Sequence, residues 1–140
     1  MSSMNKLKFA FLKDNLPLAA DDQRASVGHE RWLEGMPQDL PQAGVIRAAA
    51  ATPEMDALLR GLFGNSPFLT QCMIREHAFF GDVLQNGLDA SFQAVMEDAA
   101  GLAGERLDEA ALMKRLRIIK RRAYLAAALG DLTGLWPLAR

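Results

Sequence analysis

Residues 112–136 read LMKRLRIIKRRAYLAAALGDLTGLW, and their first half carries six Lys or Arg side chains. At about 100° of rotation per residue of an α-helix, its apolar residues fall on two sides. One stripe, roughly 100° wide, predicts a seam that faces the core. A second strip lies on the far side among the basic residues and predicts burial against a further surface. The predicted core seam is Leu112, Leu116, Ile119, Ala123, Ala126 and Ala127, and the second strip is Ile118, Leu125 and Leu129.

The composition predicts one folded domain. Half of the 140 residues are apolar and 24% are charged, as in an ordinary globular protein with a core of its own. We expect a flexible N-terminal arm at residues 1–20 and a single helical domain at residues 21–140. The single cysteine, Cys72, excludes an intrachain disulfide and is expected to be a small buried hydrophobe. No apolar run approaches the ~20 residues of a membrane span, so a cytoplasmic location is expected.

Gly, Pro and Asn residues divide the chain into helices. Thr52-Pro53-Glu54 and Ser66-Pro67 each join an N-cap to a proline at the first helical position, and Gly64 is expected to end the helix between them. Asn86-Gly87 separates two further helices, and Asp108 is expected to cap the basic helix. No segment alternates as a strand would. The predicted fold is therefore all-α, an irregular bundle of about five to seven helices with a long basic C-terminal helix.

The charges are distributed unevenly, although the net charge is only −1. Residues 76–111 contain eight acids against one base, Arg106, whereas residues 114–122 contain six bases and no acid. We expect these two blocks to neutralise one another across a helix pair. The small net charge offers no case for nucleic acid or an acidic membrane as the partner of the whole molecule.

No constellation of catalytic residues is visible. Phosphate-binding loops of the G-x-x-x-x-G-K-[ST] and G-x-G-x-x-G types are absent, and so is any Asp-x-Asp pair that could help to hold two metal ions. His29 and His77 lie in separate segments, where solvent-facing or capping roles are expected. Cys72 and His77 would point about 140° apart on one helix, which is wrong for a nucleophile and its base. No catalytic, cofactor-binding or metal-binding residue is assigned, and the chain by itself is predicted not to be an enzyme.

Two stretches resemble a known family. Residues 62–69, LFGNSPFL, resemble an early FGNSPFL-type segment of the bifunctional glutamine synthetase adenylyltransferase/adenylyl-removing enzymes. Residues 112–136, with the pattern LxxxKRRxxLxxAxxDLxGxW, look like the helix before the first nucleotidyltransferase domain of those enzymes. The two stretches have the order and separation found in that family. The resemblance covers roughly residues 58–137.

The resemblance implies a parent enzyme with two nucleotidyltransferase-like halves. One half attaches AMP from ATP to a tyrosine of glutamine synthetase, the other removes it by phosphorolysis, and PII-type nitrogen-signalling proteins set the balance. The family's Mg²⁺-binding G-[GS]-x-[DE]-[LI]-x-x-x-S-D-[IV]-D signature is missing here. The implied identity is thus the N-terminal helical segment before the adenylyl-removing core. ATP and Mg²⁺ are implied for the parent, and no catalytic residue can be carried over.

The favoured interpretation is a helical scaffold for the following catalytic domain of the same polypeptide. Within it, Arg121 and Arg122 either pair with the acidic block or face the nucleotide site of that domain, and Asp131 braces the junction. Two alternatives are a small standalone helical protein-interaction module and a basic-helix nucleic-acid binder with Tyr124 as a stacking aromatic. The candidate interface consists of Arg115, Ile118, Arg121, Arg122, Leu125, Leu129 and Asp131.

Overall fold

The computed structural model describes Phe9 and residues 16–136. This part of the chain forms seven α-helices and a short 3₁₀ helix and contains no strand, so the predicted all-α fold is confirmed. The helices are α1 (Asp22–Glu34), α2 (Ala43–Ala50), α3 (Pro53–Asn65), α4 (Pro67–Arg75), α5 (His77–Asn86), α6 (Leu88–Gly101) and α7 (Glu109–Thr133), and the 3₁₀ helix is Leu102–Gly104.

The three N-caps predicted from the sequence are confirmed. The side chains of Thr52, Ser66 and Asp108 each accept a hydrogen bond from the backbone N–H three residues later, at 3.3, 3.1 and 2.8 Å. Each bond satisfies one of the backbone donors left free at a helix N-terminus. At the boundary of α5 and α6, Gly87 has φ of 93°, a left-handed conformation that glycine adopts without a steric penalty.

The predicted end of α3 at Gly64 is wrong, because the helix continues to Asn65. Gly64 is buried, and a Cβ at this position would lie 2.5 Å from Cβ of Ala19. The missing side chain is therefore used for close packing against the entering chain, and not for a left-handed helix end. The positions of Gly, Pro and Asn residues in the sequence cannot distinguish a glycine that ends a helix from one that allows close packing.

Asn65 joins the segment before α1 to α3. Its amide Nδ2 donates to the carbonyl oxygens of Leu18 and Gly61 at 3.0 and 2.7 Å, and its Oδ1 accepts from the backbone N–H of Ala20 at 3.0 Å. Residues 1–8 and 10–15 lie outside the described residues, so the arm at 1–20 and the domain boundary at 21 stay predictions.

An aromatic cluster around Trp32 forms the centre of the core. The Trp32 ring stacks on the His77 ring at 5.8 Å between centroids, meets Phe80 edge-on at 5.5 Å and contacts Phe63 at 5.9 Å. All four side chains are buried. Because they come from α1, α3 and α5, the cluster fixes these helices against one another through large apolar contacts.

The expected solvent-facing or capping role is wrong for His77. Its ring is buried, and Nε2 lies 2.7 Å from the carbonyl oxygen of Trp32. Since a carbonyl can only accept a hydrogen bond, Nε2 carries the proton. His29 is also mostly buried, with a side chain 17% exposed and Nε2 3.8 Å from a carboxylate oxygen of Asp56.

His29 is expected to make the stability of the fold depend on pH. Burial lowers its pKa below the ordinary value of 6.5 and Arg60 lowers it further, whereas Asp56 partly opposes the shift. The unfolded chain therefore takes up a proton at higher pH than the folded chain, and stability is lost as the pH falls from about 6.5 through the folded pKa. In thermal melts between pH 7.5 and pH 5, the melting temperature of His29→Gln should fall less steeply with decreasing pH than that of the unsubstituted chain. The surface variant Asp131→Asn should keep the parent decline, and an unchanged slope in His29→Gln would disprove the assignment.

Candidate functional interface

The two apolar strips of α7 are buried differently from the prediction. Leu125 and Leu129, assigned to the second strip, are fully buried in the core of this chain, and Ile118 is half-buried. In the predicted core seam, Leu116 is 43% exposed and Ala127 is exposed. The seam contributes Ala126 to the core and partial contacts from Ile119 and Ala123, while Leu112 is half-buried.

The reason for this error lies in the packing of α7. The helix packs against α6 and also against α4, so its buried side is not one straight stripe along 25 residues. Apolar residues occur on several sides of the helix, and periodicity alone does not select among them. Because Leu125 and Leu129 belong to the core of this chain, the prediction that they meet a separate domain is wrong.

A buried carboxylate holds the middle of α7. Glu76, between α4 and α5, is 4% exposed, and its Oε2 and Oε1 accept hydrogen bonds from Nε of Arg121 and Nε of Arg122 at 2.9 and 2.8 Å. Both arginines are about a quarter to a third exposed, at 25% and 33%. Charge-assisted bonds of this length are the strong kind. Of the two roles expected for Arg121 and Arg122, pairing with the acidic block is confirmed.

The charged blocks neutralise one another only in part. Beside Glu76, Glu105 pairs with Arg115, with Nη1 to Oε1 at 3.0 Å, but both side chains are well exposed and the pair is weak. Three other acids have different partners: Asp82 accepts from Gln42, Asp89 accepts from Trp136 Nε1, and Asp108 caps α7.

A basic and apolar face therefore remains open along α4 and α7. By helical spacing, the α7 side chains Met113, Leu116, Arg117, Lys120 and Tyr124 lie within a stripe about 100° wide. All five are exposed, and Phe68 of α4 meets Tyr124 edge-on at 5.5 Å between ring centroids. The α4–α7 face is defined here as Phe68, Met113, Leu116, Arg117, Lys120 and Tyr124.

A groove of about 270 Å³ lies between the two helices at this face. Its walls include Phe68, Cys72 and Arg75 from α4 and Arg117 and Lys120 from α7. Burial raises the pKa of the Cys72 thiol, with Arg121 opposing and Glu76 adding to the shift, and a raised pKa disfavours the nucleophilic thiolate. The predicted role of Cys72 as a small buried hydrophobe is confirmed.

The end of α7 folds back on the bundle. Gly134 adopts φ of 75° and ends the helix, and the backbone N–H of Trp136 donates to the carbonyl oxygen of Gly130 at 3.1 Å. The Trp136 ring meets Phe92 at 5.2 Å between centroids. Asp131 is exposed and accepts the N–H of Gly134 through its backbone carbonyl, so the bracing role of its side chain stays a prediction.

The described residues contain no group of three or more His, Cys, Asp or Glu side chains that could hold a metal ion. None of the helices within residues 16–136 has the length and apolar character needed to cross a bilayer.

Comparisons with known proteins identify relatives by sequence. The chain is 35% identical over 108 residues, 76% of its length, to an enzyme of Rhodopseudomonas palustris (strain BisB5). It is 30% identical over 118 residues, 83% of its length, to one of Bradyrhizobium diazoefficiens, and 27% identical over 135 residues, 93% of its length, to one of Bartonella quintana (strain Toulouse). These matches span 11%, 12% and 13% of the respective relatives. No family model and no solved structure matches the chain.

The chain is thus an all-α segment that corresponds to a small part of a much larger enzyme. All three relatives are bifunctional glutamine synthetase adenylyltransferase/adenylyl-removing enzymes, and the chain belongs to that family by sequence. The resemblance drawn from residues 62–69 and 112–136 is confirmed.

Sequence reasoning missed the importance of Glu76 and of the α4–α7 face. One signal was present in the sequence, since Glu76 directly precedes a histidine at a helix boundary and an adjacent arginine pair follows 45 residues later. Nothing in the sequence placed Phe68 beside Tyr124.

Proposed function

We propose that this chain is the N-terminal helical scaffold of an enzyme that adenylylates and deadenylylates glutamine synthetase in nitrogen regulation. The observation that carries the proposal is the sequence relationship to enzymes named for that reaction, over 76% to 93% of this chain. The two ion pairs of Glu76 with Arg121 and Arg122, called the Glu76 clamp, support a scaffold role, because they join α7 to the junction of α4 and α5. The scaffold positions the following catalytic domain of the same polypeptide.

Catalysis belongs to other parts of the parent in this proposal. The described residues do not fit a Mg²⁺ site, since no three potential ligands converge. ATP, Mg²⁺ and the nucleotidyl-transfer signature are therefore assigned to the parent's catalytic domains. PII-type regulators and glutamine synthetase are reached through the parent polypeptide.

A chimeric enzyme tests this function. The matching segment of the Rhodopseudomonas palustris (strain BisB5) enzyme is replaced by the aligned residues of this chain. Both adenylylation and deadenylylation of glutamine synthetase should be retained within about tenfold, because a scaffold needs a compatible fold and few specific reacting groups. The matched control carries Leu129→Asp in the grafted segment, which places an uncompensated charge in the core and should abolish both activities.

Two outcomes would contradict the proposal. The first is a chimera that folds, as judged by circular dichroism and a cooperative melt, yet lacks both activities. The second is release of ADP by the 140-residue chain alone, mixed with adenylylated glutamine synthetase, phosphate and Mg²⁺. The alternative of a standalone interaction module predicts the first outcome, so the chimera separates the two functions.

A further inference from the structure

We infer that the α4–α7 face is the docking surface for an acidic surface of the rest of the parent polypeptide, with an apolar side chain of that surface seated in the groove. The inference rests on the proposed function. It replaces the interface predicted from Leu125 and Leu129, which are buried in this chain.

The first observation is the concentration of exposed apolar side chains. The structure shows eight large exposed hydrophobic side chains among the described residues, and four of them belong to this face. Single exposed hydrophobic residues are normal, but a group on one surface marks an interaction site. The four are Phe68, Met113, Leu116 and Tyr124, exposed by 55%, 46%, 43% and 48%.

The second observation is the charge around them. Arg75, Arg117 and Lys120 line the groove, and none of them has an acidic partner among the residues that the structure describes. Nζ of Lys120 lies 5.8 Å from the centroid of the Tyr124 ring, so this cation is held over an apolar contact surface. Five acids of the acidic block have partners outside this face, namely Glu76, Asp82, Asp89, Glu105 and Asp108. Glu109 lies by helical spacing on the same side of α7, but about three turns before Lys120. A partner surface that carries carboxylates around an apolar centre is therefore the one most complementary to this face.

The third observation is the shape of the groove. The walls of the groove, which include Phe68, Arg75, Arg117 and Lys120, are more apolar than polar. Long basic side chains can line such a groove with their aliphatic stems. A volume of about 270 Å³ accommodates one or two side chains of a partner. A buried apolar centre with a polar rim is the usual anatomy of a protein interface.

The choice of occupant follows from length and charge. The relatives are roughly eight to nine times longer than the segment matched by this chain, which supplies ample further surface on the same polypeptide. A symmetric second copy would bring like charges together at Arg117 and Lys120, at an energetic cost. A polynucleotide would satisfy the cations and leave Met113 and Leu116 in water.

Chemical footprinting of lysines tests the docking surface. Lys120 lies on the face, whereas Lys114 lies about 120° away around the same helix and serves as an internal control. In the 140-residue chain, both should react readily with an acetylating reagent. In the active chimera, labelling of Lys120 should be slowed at least about tenfold by burial, with Lys114 changed little. Equal labelling of Lys120 in the chain and in an active chimera would overturn the inference while leaving the scaffold function intact.

A second measurement applies if the chimera does not fold. This chain is co-expressed with the Rhodopseudomonas palustris (strain BisB5) enzyme lacking its matching segment, and co-purification is measured. Arg117→Glu with Lys120→Glu should reduce recovery at least about tenfold, as should Leu116→Ser with Tyr124→Ser, through lost complementarity and lost apolar contact. The matched controls Arg106→Glu and Met96→Ser change an exposed charge and an exposed apolar residue elsewhere and should leave recovery unchanged.

Three results would overturn the inference by this second route. One is that the unsubstituted 140-residue chain does not co-purify with the shortened enzyme. Another is equal recovery of the face variants and the controls. The third is a dimer of the isolated chain, measured by sedimentation, that Leu116→Ser with Tyr124→Ser abolishes, since the face would then be covered by a second copy.

Discussion

Replacing Arg121 and Arg122 together by alanine is expected to lower the free energy of unfolding by about 3–5 kcal/mol, because it leaves the carboxylate of Glu76 buried without a partner. Glu76 is only 4% exposed and lies at the junction of α4 and α5. Urea denaturation followed by circular dichroism at pH 7 measures the change. Arg115→Ala is the matched control, since its ion pair with Glu105 is well exposed, and it should cost no more than about 1 kcal/mol.

The cause of this loss can be separated from the loss of the arginine stems. Adding Glu76→Gln to the double alanine variant removes the buried charge and should recover part of the stability, even though no contact is restored. If the triple variant is no more stable than the double, the destabilisation comes from lost packing of the arginine stems, and the clamp is not electrostatic.

The second large effect concerns the side of α7 that faces the core. Leu129→Ala is expected to lower the free energy of unfolding by about 2–5 kcal/mol, because it removes buried methyl groups and leaves a cavity. Leu116→Ala should change it by less than about 1 kcal/mol, since Leu116 is 43% exposed. The two variants are the same substitution on one helix, so the contrast reports burial alone. Urea denaturation of both variants measures the two changes. A larger loss of unfolding free energy for Leu116→Ala than for Leu129→Ala would instead support the core seam predicted from the sequence.

Most of the local structure was predictable, because its causes lie within a few residues. Thr52, Ser66 and Asp108 start their helices through bonds to backbone groups three residues away. Gly64 shows the limit of local reasoning, since its missing side chain accommodates Ala19, which lies far away in sequence.

The candidate interface was only partly predictable. The sequence predicted that Arg121 and Arg122 could pair with a block of eight acids, but it did not indicate which acid. The tertiary structure selects Glu76, which lies 45 and 46 residues before them. The aromatic contact between Phe68 and Tyr124 has no local signature either. Long-range pairs of this kind depend on how α4 and α7 pack, which a single sequence does not state.

By itself, the sequence determined the all-α fold, the principal helix starts and the family. Caps, prolines and short motifs act locally and survive in any tertiary arrangement. Only the tertiary structure shows which side of α7 is buried and which side is exposed. The physical reason is that α7 carries apolar residues on several sides, so the free energy that selects its orientation comes from packing against α4 and α6 and from the buried carboxylate of Glu76.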